Sequence, residues 1–157
     1  MRNLTICLLS FAISVLSLMT SSHAKPAAEL IGIAVANDGG SVLFGKVEIS
    51  LFGIAAPRVR GDWNVDEGGF QSARALHSLV DRKEVRCELD GTLSPVRRVP
   101  VAKCYLGEMD IALQQVLNGH ARDCPRHSGG AYALAEGKAR SRKKDLSKIY
   151  SLPKFCE

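Results

Sequence analysis

The stretch ISLFGIAAPRVRGD, residues 49–62, decides how the chain folds. Its first half belongs to VEISLFGI (47–54), where Val47, Ile49 and Leu51 alternate with Glu48, Ser50 and Phe52. A period of two marks a strand with one buried face. The second half has no period, because Pro57, Gly61 and then Gly68 interrupt it. Upstream, LIGIAVA (30–36) is an apolar strand and NDGG (37–40) a strong turn signal. SVLF (41–44) is the return strand, and a second tight turn at Gly45 and Lys46 leads back to residue 47. Three strands joined by tight turns make a meander.

Downstream, the spacing predicts a helix over 69–82, with Phe70, Ala73, Leu76, His77 and Val80 on its apolar face. EVRCELD (84–90) alternates as a fourth strand, GTLSPVRR (91–98) reads as a loop, and VPVAKCYLG (99–107) as a fifth strand. Pro100 falls near the start of that strand, where a missing N–H is tolerable. MDIALQQVLNG (109–119) is a short helix stopped by Gly119. CPRHSGG (124–130) reads as a loop. A last helix is predicted over 131–145, where SRKKD (141–145) puts basic charge at the negative end of the dipole. The order β-β-β-α-β-β-α-α predicts an α+β fold, a five-stranded OB-type β-barrel with about three helices.

The N-terminus predicts export. Arg2 precedes an apolar run from Leu4 to Met19, and Ser22 and Ala24 supply the small residues of a signal-peptidase site. Residues 1–24 are therefore expected to be a signal peptide and 25–157 a single domain, periplasmic or extracellular. Losing Arg2 lowers the formal net charge from +5 to +4, which permits contact with a polyanion without demanding it. Cys7 leaves with the signal, and Cys87, Cys104, Cys124 and Cys156 remain. An even count in a small exported domain favours disulfides over metal, and no C-x-x-C pair is present. Of the three possible pairings, Cys87–Cys104 is expected because both lie mid-strand in neighbouring segments. That leaves Cys124–Cys156 to staple the tail.

The series NDGGSV, ISLFGIAAP, GFQSARALHSLV, VPVAKCYLG with DIALQQVLNGHA, and the cysteine-bearing tail resembles the staphylococcal-nuclease-like family in its secreted bacterial branch. The resemblance spans the chain from residue 25 onward. The family's Asp-Gly-Asp-Thr turn corresponds to Asp38, Gly39, Gly40 and Ser41, so Gly40 replaces a calcium ligand. Its Arg-Leu-x-Gly-Ile-Asp-Ala-Pro-Glu strand corresponds to 50–58. Ser50 stands for the phosphate-clamping Arg, Ala55 for the second calcium-ligand Asp, and Arg58 for the general-base Glu. The second catalytic Arg falls on Val99, preceded by Arg97 and Arg98.

All five functional positions depart from the family's pattern. Ca²⁺ needs 6–8 oxygen ligands, and Gly40 and Ala55 offer no side-chain oxygen. Losing one preorganised donor typically costs ~10²–10³ in rate. Losing metal, base and both clamps leaves nothing useful, so no catalytic residue, metal or cofactor is expected. Arg58, Arg60, Arg97 and Arg98 are candidate anion-binding residues. The resemblance extends to nuclease-like accessory proteins of succinoglycan-type exopolysaccharide biosynthesis. It implies a non-hydrolytic binding role, with an anionic polysaccharide or an envelope protein as partner and nucleic acid less favoured. The competing reading is a secreted calcium-dependent phosphodiesterase with a rearranged site.

Other constellations carry little. No G-x-S-x-G, Walker or zincin motif occurs. His77 is expected in the core or an interface, His120 as a capping or surface residue, and His127 in packing. Asp62, Asp66 and Glu67 read as a solvated acidic loop, and Trp63 among them as a cap on the barrel mouth.

Overall fold

A computed structural model describes residues 28–59 and 66–157. The expected signal peptide with Cys7, and Arg60, Asp62 and Trp63, lie outside the described residues. The fold is α+β. Among the described residues, nine strands, β1 (Glu29–Ile33), β2 (Val35–Ala36), β3 (Ser41–Phe44), β4 (Val47–Leu51), β5 (Ile54–Ala55), β6 (Glu84–Leu93), β7 (Pro100–Leu106), β8 (Met109–Asp110) and β9 (Arg122–Asp123), accompany four α-helices. These are α1 (Gly69–Val80), α2 (Ile111–Leu117), α3 (Pro125–Ser128) and α4 (Ala133–Ser141).

Seven strands share one sheet, in the order β1-β6-β7-β4-β3-β2 with β8 paired to β7. The five-strand expectation is thus corrected. The first expected strand is split at Ala34, which is fully buried, and its halves β1 and β2 stand at opposite ends of the path. The chain also turns back over Gly107 (φ 58°) to add β8. The expected strand 47–54 is likewise divided. Gly53 adopts φ 68°, so Leu51 ends β4 and Ile54 opens β5, which pairs with β9. The stretch 49–62 therefore contributes to two sheets.

The helices are shorter than their patterns. Asp110 accepts from Leu113 N at 3.0 Å and caps α2, which excludes Met109. The predicted 124–130 loop contains α3, opened by Pro125 at a position where its missing N–H is harmless. The last helix ends at Ser141 rather than 145. Lys143 takes φ 62°, and Asp145 instead caps a 3₁₀ turn, Leu146–Lys148. The face of α1 is also rotated from expectation. Gly69, Ser72, Leu76 and Val80 are buried, whereas Phe70 and His77 are exposed. His77 is therefore no core histidine. It stands 4.0 Å from Asp81, one turn on.

Ser72 explains the rotation. Its hydroxyl donates to the His120 carbonyl at 2.5 Å, and its chain packs against Gly39 in the β2–β3 turn. Gln115 of α2, buried, donates to the carbonyls of Gly39 and Ser72. One turn and two helices are locked where no side chain fits at residue 39. The main core lies beside this lock and includes Val42, Ile49, Leu51, Leu76, Val85, Ile111 and Val116. Cys87 and Cys104, cross-strand partners on β6 and β7, are bridged inside it, and Cys124 and Cys156 are bridged in a smaller cluster beside Ala55.

Two measurements check this packing. A Cβ at residue 39 would fall 1.7 Å from Ser72 Oγ, whereas one at Gly137, in an exposed helix interior, meets nothing within 4 Å. In urea melts, Gly39→Ala should lose about 1–3 kcal/mol, and Gly137→Ala should gain roughly 0.5–1 kcal/mol. The second test concerns pH. Burial, aided by Lys144, holds the His120 imidazole below its ordinary pKa. The unfolded chain protonates this group at about 6.5. Its contribution to stability is therefore complete above that pH and is lost as pH falls towards the folded value. The melting temperature should drop less between pH 7.5 and 5.5 in His120→Gln than in the wild type.

Candidate functional site

Ser41, Ser50 and Val101 lie side by side on β3, β4 and β7, because the register pairs Ser41 with Ser50 and Ser50 with Val101. They form the floor of a cavity of about 240 Å³. The cavity uses the face of β4 that the core leaves over. Ile49 and Leu51 point inward, and Glu48, Ser50 and Phe52 line the hollow. Two-residue alternation thus sorts one strand into a core side and a site side.

Four of the five positions singled out in the sequence, Gly40, Ser50, Ala55 and Arg58, line this one cavity. Val99 does not. Its carbonyl accepts from Ser94 N at 2.8 Å, while Arg98 N donates to the Ser94 carbonyl at 3.1 Å. These two bonds close a tight turn over 94–99, in which Arg98 is left-handed (φ 59°) and exposed. Arg97, one residue earlier, points back into the cavity.

Arg97 organises the polar wall. Its guanidinium donates to Asp38, to Glu48 and, at 3.0 Å, to Ser41 Oγ. Asp38 is only 3% exposed. Its Oδ1 also accepts from Gly40 N at 2.8 Å and from Ser41 Oγ at 3.0 Å. A charge buried this deeply persists only when paired and hydrogen-bonded, and Asp38 is both. Burial disfavours the Arg97 charge, but the two carboxylates outweigh it and hold the guanidinium above its ordinary pKa. Arg97 is thus committed inside the protein and is not an open anion site. Glu48 and Ser41 were not singled out from sequence. Alternation put Glu48 on the non-core face, and that was the available signal.

The other wall is basic and apolar. Arg58 leaves β5 with its backbone N–H held by Asp66 at 3.0 Å, and Arg126 and His127 arrive on α3. The His127 ring lies 6.2 Å from Phe155, which the Cys124–Cys156 bridge holds at the cavity. Across from it, Phe52 stacks under Lys103, whose Nζ is 4.9 Å from the ring centroid. Ser94 also lines the cavity. It is 8% exposed, and its hydroxyl has no partner among the described residues.

Calcium, the ion the resemblance implies, is poorly served by these donors. Both oxygens of Asp38 are engaged, Glu48 is paired with the same guanidinium, and residues 40 and 55 bring no oxygen on a side chain. A Cβ at Gly40 would stand 3.3 Å from that of Ala56, so the turn is closed down over the gap. Among the described residues, no group of three His, Cys, Asp or Glu side chains is arranged to hold a metal. The chain matches no family model, and no curated protein matches it.

The C-terminal bridge carries one wall of the cavity, while the Cys87–Cys104 bridge lies in the core. Each closes a loop of 32 or 17 residues, and removing either should cost about 3 kcal/mol on a chain-entropy estimate. Replacing Cys124 and Cys156 by Ser should additionally shorten amide protection at His127 and Phe155 in hydrogen exchange. Replacing Cys87 and Cys104 should leave protection there in proportion to global stability.

Proposed function

We propose that the protein is an exported, non-hydrolytic binding protein on a staphylococcal-nuclease-like scaffold, acting as an accessory in acidic exopolysaccharide production. The barrel part of this reading is supported by connectivity. β1 and β2, the two ends of the sheet path, are separated in the chain by Ala34 alone. A sheet whose first and last strands are one bent segment has every reason to curl into an OB-type barrel. The disulfides fit an oxidising compartment. Among the described residues no helix is long and apolar enough to cross a membrane.

The observation that carries the non-hydrolytic reading is the state of Asp38. It is the buried carboxylate of the cavity, and Gly40, Ser41 and Arg97 saturate it. Arg58 lines the same cavity, at the position to which the resemblance assigns a general base. A guanidinium, always protonated, does not take a proton from water. What remains suits recognition. Phe52 and Phe155 offer apolar faces for the C–H side of a sugar ring, Ser41 and Ser50 offer hydroxyls, and Arg58 and Arg126 offer charge for a carboxylate.

Two assays on the purified protein test this. Heat-denatured DNA incubated with and without Ca²⁺ should yield no fragments in either case. An acidic polysaccharide should bind more tightly than a neutral one, and the binding should weaken as salt rises. Arg58→Ala combined with Arg126→Ala should weaken it about tenfold, the equivalent of about 1.4 kcal/mol. Chelator-sensitive cleavage, or equal binding of neutral and acidic chains, overturns the reading.

A further inference from the structure

Asp38 and Glu48 reach the cavity from different elements, the β2–β3 turn and β4, yet one guanidinium bonds both. Two carboxylates held this close repel unless a cation lies between them. Their side chains are only 4% and 21% exposed, so water and salt screen them poorly. Ser41 Oγ lies in the same cluster, bonded to both Arg97 and Asp38, and Ser50 is its cross-strand neighbour.

We infer that Arg97 is the resident cation of this cavity, filling the place between Asp38 and Glu48 that a hard divalent ion would otherwise take. The tight turn closed by Ser94 and Val99 delivers it there, so the cation is supplied by the chain and not by the medium. With the guanidinium in that place, the two carboxylates are held together without a metal ion. With Arg97 removed, two carboxylates and the hydroxyls of Ser41 and Ser50 face one another. Hard oxygen donors with room for water are what Ca²⁺ requires. The inference stands whatever ligand the cavity binds.

Calorimetric titration with Ca²⁺ alone, followed by thermal melts, tests it in the full chain. Wild type and Arg97→Lys, which keeps the charge, should show no saturable heat and no change in melting temperature at millimolar Ca²⁺. Arg97→Met keeps the apolar stem and loses the charge. It should bind Ca²⁺ in the range of roughly 10⁻⁴–10⁻³ M seen for modest extracellular sites, and melt at higher temperature with the ion. Adding Asp38→Asn should abolish both effects. If Arg97→Met folds only when Ca²⁺ is present, the inference is equally supported. Saturable binding by the wild type overturns it. So does an Arg97→Met protein that ignores Ca²⁺, whether it is folded or remains unfolded at millimolar ion.

Discussion

A carboxylate that is 3% exposed governs this molecule. Stranding a charge away from water costs several kcal/mol unless partners replace the lost solvent. Asp38 meets that demand by recruiting three parts of the chain. Its own turn contributes the Gly40 amide, β3 contributes the Ser41 hydroxyl, and the turn before β7 contributes Arg97. The same turn is pinned on its other side, where Gly39 lies against Ser72 and its carbonyl accepts from Gln115. One short segment thus ties the sheet to both α1 and α2. The core supplies the bulk of the stability, as in any small domain, but this segment sets the alignment of sheet and helices.

The electrostatics of the cavity follow from that constraint. Where the resemblance implies exchangeable charge, carboxylates answered by a dissociable ion, the pairing here is covalently tethered. Arg97 cannot leave, and its planar fork matches two carboxylates better than an ammonium would. A site of this kind has a fixed charge pattern, with one wall internally neutralised and the Arg58–Arg126 wall still basic. Fixed complementarity serves recognition.

Period-two alternation made β4 and β6 readable, because each has residues that alternate between the core and the outside. It also made Glu48 and Ser50 visible as occupants of a common non-core face. The converging positions Gly40, Ser50, Ala55 and Arg58 were readable as a set only through the resemblance, since no periodicity or composition marks them. What stayed hidden depended on tertiary contact. The rotation of α1 turned on Ser72, a polar residue that hydropathy places outside, and only the close approach of Gly39 and the His120 carbonyl bring it in. The split at Ala34 and the restart after Gly53 leave the apolar run unbroken in the sequence, so no periodicity reports them. Arg97 and Arg98 are adjacent and chemically identical. Which one turns inward is decided by the left-handed backbone at Arg98 and the two bonds across Ser94, neither of which the sequence displays.

The placement of the cavity has a further consequence for how the fold tolerates change. On β4, Glu48 and Ser50 line it from the face opposite the core, so altering them leaves Ile49 undisturbed beneath. Ser50 can therefore be small without leaving a void in the interior, while the Phe52 ring lies beneath Lys103. Asp38 is the exception, being both a wall of the cavity and a buried anchor of the turn. Losing its charge removes one of the two carboxylates that hold Arg97, and leaving it unpaired strands a buried charge. Asp38 therefore has a structural reason to be a carboxylate, with Arg97 as the partner that makes its burial bearable.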